Sequence, residues 1–242
     1  MAPLFGNLTA SSALKRFLNL VQGYGLMKTL LTCGAMIDDQ HLRIFDRRYG
    51  VRTSGHIELS ETSFDSSKLR HATSYGPVNG WAFRRLLKRL SFSKTLRFAD
   101  LGCGLGRACI LAAEYGFNKI TGVELASELC VVARQNLLSC SLAPTNKSSI
   151  QIVEGDVLEY CGITEDDVFF VYRAFSLEFF QAVCEKLVQT AAHQGRLLTL
   201  IYSERLDWPQ SPSVEIPLKS GFQKLYQGSS FGQAFFVYQC KG

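Results

Sequence analysis

Arg97-Phe98-Ala99-Asp100-Leu101-Gly102-Cys103-Gly104-Leu105-Gly106-Arg107 decides the fold of this chain. The first five residues read as a short buried strand. Three glycines then make a tight turn into a helix from Arg107 to Tyr115 that carries Ala, Leu and Glu and is closed by Gly116. Lys119–Glu124 follows as a second strand, and Ser127–Cys140 as a second helix with Ser127 at its N-cap. This β-α-β-α progression implies a parallel sheet with right-handed crossovers. The glycines let a ligand approach the backbone closely, and they open a helix whose N-terminus favours a carboxylate or phosphate. Glu124 ends the second strand 20 residues after Gly104, where an acidic side chain can accept hydrogen bonds from ribose hydroxyls.

Two cofactor classes share this beginning. A dinucleotide fold normally carries Gly or Ala at the sixth place of its glycine motif, where this chain has Arg107, and it rarely places an Asp two residues before the first glycine. Asp100-Leu101-Gly102-Cys103-Gly104-Leu105-Gly106 instead resembles the first motif of class I, seven-strand S-adenosylmethionine (SAM) methyltransferases. The resemblance covers about residues 97–242. It implies that Asp100 lies near the methionine end of SAM, that Gly102, Gly104 and Gly106 back the cofactor, and that Glu124, with Leu125 beside it, holds the ribose. Further on, Ile150–Glu154 reads as a third strand, and Gly155-Asp156-Val157 resembles the motif whose Asp binds the adenine amino group while the next apolar residue covers the ring. Asp167–Tyr172 and Gly195–Ser203 read as strands four and five, with Ser176 capping the helix between them. Phe222–Gln227 and Gln233–Gln239 suit a closing antiparallel hairpin. The stretch from Asp156 to Asp166 reads as too short for a full helix, a reduced version of the fold. The expected fold is therefore α/β, a doubly wound and mostly parallel sheet with an antiparallel closing strand and an N-terminal helical extension.

Methyl transfer is an in-line displacement that needs alignment and exclusion of water more than a catalytic triad, and the sequence offers no triad. The expected acceptor segment is Tyr172-Arg173-Ala174-Phe175, at the end of strand four. Methyltransferases acting on adenine or glutamine amides carry Asn-Pro-Pro-Tyr or a variant there, so Arg173 and Ala174 depart from the pattern. A guanidinium cannot accept a hydrogen bond; it can grip a carboxylate or phosphate, or pair with a nearby carboxylate of the protein. Tyr172 and Phe175 are expected to wall the methyl path. Tyr75-Gly76-Pro77-Val78-Asn79 resembles, more distantly, the tyrosine loop that folds over the cofactor in lysine methyltransferases of the non-SET type. The span from Phe45 through Glu124 is similar to a group of bacterial class I methyltransferases of undefined substrate, which have Tyr-Asn-Pro-Phe where this chain has Tyr172–Phe175. His56 and His71 are candidate lid bases.

The chain has 242 residues, 47% apolar and 19% charged, enough for one domain with a sizeable core. Its net charge of +5 divides unevenly: residues 1–97 hold 15 Lys and Arg against 6 Asp and Glu, and residues 98–242 hold 11 against 15. The basic first third fits an anionic partner or a solvated face. Leu14, Phe17, Leu18, Val21 and Tyr24 form an apolar stripe, so residues 13–33 are expected to dock as a helix; an acid-free start up to residue 37 also loosely resembles a transit peptide. Residues 38–77 read as a polar connection, which gives an extension or lid over 1–79 and a SAM-binding domain over 80–242. The eight cysteines, none in a C-x-x-C pair, read as buried thiols of a cytoplasmic protein, with no metal site and no membrane span expected. The leading expectation is methylation of a protein side chain or small molecule, with Arg173 orienting a carboxylate or phosphate of the acceptor. Nucleic-acid methylation and a non-catalytic SAM-fold scaffold are the alternatives, and a nicotinamide oxidoreductase is the weakest rival.

Overall fold

The computed structural model describes residues 40–55, 75–147, 149–206 and 211–242. The expected docking helix over 13–33 and both candidate lid histidines, His56 and His71, lie outside these residues. Among the described residues the order begins with helix α1 (residues 40–49), α2 (Gly80–Leu90) and strand β1 (Arg97–Leu101). Next come α3 (Arg107–Tyr115), β2 (Lys119–Glu124), α4 (Ser127–Ser139), the single turn α5 (Pro144–Lys147) and β3 (Ile150–Glu154). Helix α6 (Val157–Ile163), β4 (Val168–Tyr172), α7 (Leu177–Gln194) and β5 (Leu197–Arg205) follow. A 3-10 turn (Pro212–Glu215), α8 (Ile216–Lys219), β6 (Gln223–Ser230) and β7 (Gln233–Lys241) complete the order.

The seven strands form one sheet in the order β3-β2-β1-β4-β5-β7-β6. Strands β1 to β5 pair in parallel, and β7 runs antiparallel between β5 and β6. This is the expected class I arrangement. Strand alternation divides the core into two layers. Phe98, Ile120, Phe170 and Ile201 point to the face covered by α1 to α4; Ala99, Val123, Phe169 and Leu200 point to the face covered by α6, α7 and α8. The order of the strands reverses between β1 and β4, which opens a crevice at their carboxyl ends, the usual ligand position of such sheets.

Three local expectations are corrected. Residues 38–77 are not simply a polar connection, because 40–49 are helical. His41, Phe45 and Tyr49 are buried at four-residue spacing, and the intervening Arg43, Arg47 and Arg48 face outward; the charges mask the apolar stripe in the sequence. Ser127 is the first residue of α4, not its cap: Ala126 holds the cap position without a side-chain bond, and the Ser127 hydroxyl donates to Glu154 instead. The stretch after Asp156 does hold a helix, the two-turn α6. Asp156 caps it by accepting from the Leu158 amide, and Asp166 ties off its end by accepting from the Tyr160 and Thr164 hydroxyls. Ser176 and Gly116 terminate helices as expected.

The seven described cysteines are buried free thiols. Two of them, Cys103 and Cys109, pack against Gly122 in β2: a Cβ built there would lie 2.8 and 2.9 Å from their sulfurs and 2.9 Å from Ile152 Cδ1. The glycine is therefore required by packing and not by backbone conformation. Gly122→Ala is expected to destabilise the protein by ~1–3 kcal/mol through overpacking, read as a lower urea midpoint at unchanged m-value. An unchanged midpoint contradicts this account.

Candidate active site

Three backbone conformations build the turn after β1. Gly102, Gly104 and Gly106 have φ of 79°, 51° and 84°, the left-handed region that side chains disfavour. Space restricts two of these positions as well. A Cβ on Gly102 would sit 2.7 Å from Ala174 Cβ, and one on Gly104 would sit 2.2 Å from the Tyr75 ring. The turn is anchored to β2 by the Gly102 and Cys103 amides, which donate to the Val123 carbonyl at 2.9 and 3.0 Å.

Glu124 makes the second anchor. Its Oε2 accepts from the Gly104 amide at 2.9 Å, and its Oε1 accepts from the Leu125 and Ala126 amides at 2.9 and 3.0 Å. Burial pushes this carboxyl above its ordinary value, and the three amides oppose the shift. Leu125 is thus placed beside the expected ribose acid by its own backbone bond. Asp156 ends the neighbouring strand's loop with Oδ1 on the Leu158 amide, and Val157 is buried behind it. The Gly155 amide donates to the Glu124 carbonyl, so the two acid-bearing loops are fastened together.

Asp100 lies beneath the turn and is 3% exposed. It accepts from the Cys109 thiol at 3.7 Å. Burial pushes its carboxyl up to about 8; the Cys109 bond opposes this and the nearby Glu124 charge adds to it. Burial thus favours the protonated form of Asp100 around neutral pH.

Above the turn, Tyr75 lays its ring on Gly104 and donates its hydroxyl to the Thr53 carbonyl at 2.8 Å. Burial raises its pKa, so it stays neutral and acts as a donor and a wall. Ala174 and Phe175 close the other side against Gly102, and Phe175 packs on Phe179 with ring centroids 5.1 Å apart. Tyr172, half-buried at the end of β4, is paired with Ser203 of β5. Arg173 adopts a left-handed φ of 43°. Its positive charge reaches Tyr202 and Glu204 and lowers the pKa of both, partly offsetting the rise that burial causes. The structure thus gathers Asp100, the glycine turn, Glu124, Leu125 and Tyr75 around one loop, with Ala174 and Phe175 on Gly102. Arg173 is placed toward the end of β5.

Sequence inspection missed two residues here. Glu204 is buried in β5 and accepts from the Ser211 amide at 3.3 Å and the Tyr202 hydroxyl at 3.4 Å. An acid closing an apolar strand was its only local signal. Arg107 is 2% exposed and reaches residues more than 50 positions earlier, which no local pattern announces.

The family model described as histone methylation protein DOT1 matches residues 63–200, more than half of the chain. The pyocyanin biosynthetic protein PhzM shares 16% identity with a TM-score of 0.50, covering 66% of this chain and 54% of that one. Magnesium protoporphyrin IX methyltransferase from Synechocystis PCC 6803, solved with bound SAM, shares 17% identity with a TM-score of 0.49, covering 68% of this chain and 85% of that one. These structural likenesses concern the fold alone. None of the curated proteins matches the chain in sequence.

Asp100 gives the site a measurable pH signature. The folded protein holds its proton up to about pH 8, while the unfolded chain releases it near its ordinary value of 3.8. Between those limits the unfolded state binds fewer protons, so stability falls as pH rises, by at most ~1.4 kcal/mol per pH unit from this group. Asp100→Asn is expected to flatten the fall between pH 5 and pH 8 when urea midpoints are compared with the unchanged protein. Parallel slopes in the two proteins exclude a buried protonated Asp100.

Proposed function

The chain belongs to the DOT1 histone methylation family and is a SAM-dependent methyltransferase, and from that premise we propose that it methylates a protein side chain at the crevice between β1 and β4. The observation that carries the proposal is the family match, whose span of 63–200 contains Tyr75, the glycine turn, Glu124, Asp156 and Tyr172–Phe175. In this reading residues up to 79 form a lid and 80–242 the transfer domain.

When bound, SAM supplies an electrophilic methyl carbon on a positively charged sulfur. The chain's own residues do the rest. Asp100 faces the methionine end and accepts its ammonium as a carboxylate, so cofactor binding favours loss of the Asp100 proton. Glu124 has three backbone partners, and a carboxylate offers about four acceptor positions; it therefore shares its charge between the turn and the ribose hydroxyls. Asp156 has one oxygen on the α6 cap, which leaves the other as the acceptor that would hold the adenine amino group, with Val157 beside it. Tyr75, Tyr172 and Phe175 exclude water and leave the acceptor one line of approach to the C–S bond.

Local charge balance supports the choice of acceptor. Arg173 lies within electrostatic reach of the buried Glu204, so its guanidinium does not present an isolated positive charge to the crevice. Such a wall suits a neutral nucleophile, such as a deprotonated side-chain amine, better than an anion.

Two measurements test this function. Asp156→Asn keeps a good helix cap, so stability should change by less than ~0.5 kcal/mol, while loss of the charged acceptor weakens SAM by roughly 5- to 10-fold in calorimetry. Unchanged affinity removes Asp156 from the adenine site. Radiolabelled methyl transfer from SAM into fractionated lysate should survive nuclease and vanish with protease; the opposite pattern replaces the protein acceptor with a nucleic acid.

A further inference from the structure

Arg107 starts helix α3 and closes the glycine turn, yet its side chain points away from the turn into residues 42–54. Nε donates to Thr53 Oγ1 at 2.8 Å. Nη2 donates to Asp46 Oδ1 at 3.1 Å, to the Leu42 carbonyl at 3.2 Å and to Ser54 Oγ at 3.2 Å. The guanidinium carbon lies 4.4 Å from the Phe45 ring centroid. Asp46 braces the same segment from the other side, accepting from the Thr53 amide at 2.9 Å, the Thr53 hydroxyl at 2.6 Å and the Ser54 amide at 2.8 Å. Both members of this ion pair therefore hold Thr53: Asp46 through the Thr53 amide and hydroxyl, Arg107 through the same hydroxyl. The Thr53 backbone carbonyl is the acceptor for the Tyr75 hydroxyl, and the Tyr75 ring lies on Gly104.

A closed circuit results. The chain runs from Gly104 to Arg107, crosses to Asp46 and Thr53, and returns through Tyr75 to Gly104. A buried charge with its partner removed is strongly destabilising, so the segment 42–54 cannot leave Arg107 cheaply. Asn136 adds a second fastening: it accepts from the Arg52 amide at 2.8 Å and donates to the carbonyls of Arg52 and Leu105 at 3.1 and 3.0 Å.

We propose that Arg107 is a positioning residue for cofactor capture, acting through Asp46 and Thr53 to hold Tyr75 over the glycine turn. The proposal rests on the assignment of that turn as the SAM site. It gives the sixth place of the glycine motif a function: an arginine there couples the floor of the cofactor site to its roof. SAM affinity then depends on a segment that precedes the nucleotide-binding strand by about fifty residues.

A double-mutant cycle on the full chain tests the coupling, with SAM affinity from calorimetry and melting temperature as separate readouts. Arg107→Lys keeps the charge and loses the fork; Tyr75→Ala removes the roof. Each is expected to weaken SAM by about tenfold, roughly one lost polar or ring contact. The double variant is expected to be no weaker than Tyr75→Ala alone, because Arg107 acts through Tyr75. Losses that multiply to about a hundredfold overturn the proposal, and so does a lowered melting temperature with unchanged SAM affinity, which is what a purely structural arginine gives. If Arg107→Lys does not fold, Asp46→Asn takes its place in the cycle with the same expectations, since it keeps the side-chain size while removing the partner charge and turning one of the two accepting oxygens into a donor. Failure of the unsubstituted protein to bind SAM overturns the site assignment itself and is distinguished by that measurement alone.

Discussion

The carboxylate of Glu124 is the constraint on which the rest of the site depends. Three backbone amides converge on it, from the glycine turn and from the start of α4. A half-buried carboxylate is held by such partners, and hydrogen bonds to a charged group contribute on the order of 1.5–3 kcal/mol each before solvent screening. The Gly104 amide can point at Glu124 only if the residue takes its left-handed conformation. That conformation in turn exposes a bare Cα surface on which the Tyr75 ring lies. The same carboxylate thus fastens the glycine turn to the entry of α4, and the Tyr75 ring lies on that turn.

The crevice has a second boundary, set by a substitution in the family pattern. Ala174 departs from the proline of the motif that the sequence resembles, and its Cβ lies where any side chain at Gly102 would fall. The chain passes over Gly102 at van der Waals distance because both residues are small. Arg173 absorbs the change of direction in a left-handed turn, and its charge is felt at Glu204. The departure from the family motif is therefore a coherent local construction in which a small residue, a strained backbone and a charge balance go together.

Strand and glycine-turn order was legible because its signals are local. Short runs of mostly apolar residues, buried on both faces, mark β1, β2 and β4, and Gly102-Cys103-Gly104-Leu105-Gly106 announces its own geometry. Helix α1 was missed because Arg43, Arg47 and Arg48 dominate a segment whose buried residues, His41, Phe45 and Tyr49, occupy only one narrow stripe. Helix α6 was underestimated because seven residues seem too few, until Asp156 and Asp166 are seen fastening both ends. Arg107 entered the sequence argument only as a mismatch to a dinucleotide motif. Its partners Asp46 and Thr53 lie 61 and 54 positions away, and nothing in the neighbourhood of residue 107 encodes them. Glu204 shows the same limit: an acid in an apolar strand signals something, but its relation to Arg173 exists only after β4 and β5 pair.

The position of β7 bears on how such a sheet comes into being. Strand β6 precedes β7 in the chain but has no bond to β5; it reaches the sheet only through β7, which lies between them. The edge of β5 therefore stays open until residues 233–241 arrive, and β6 has nothing but its own hairpin partner to join. Folding of this half must wait for a late, non-local pairing that closes Leu197–Arg205 against the last strand. Without β7, an apolar strand edge is available to any other strand that passes, so the β5–β7 pairing also protects the sheet from misassembly.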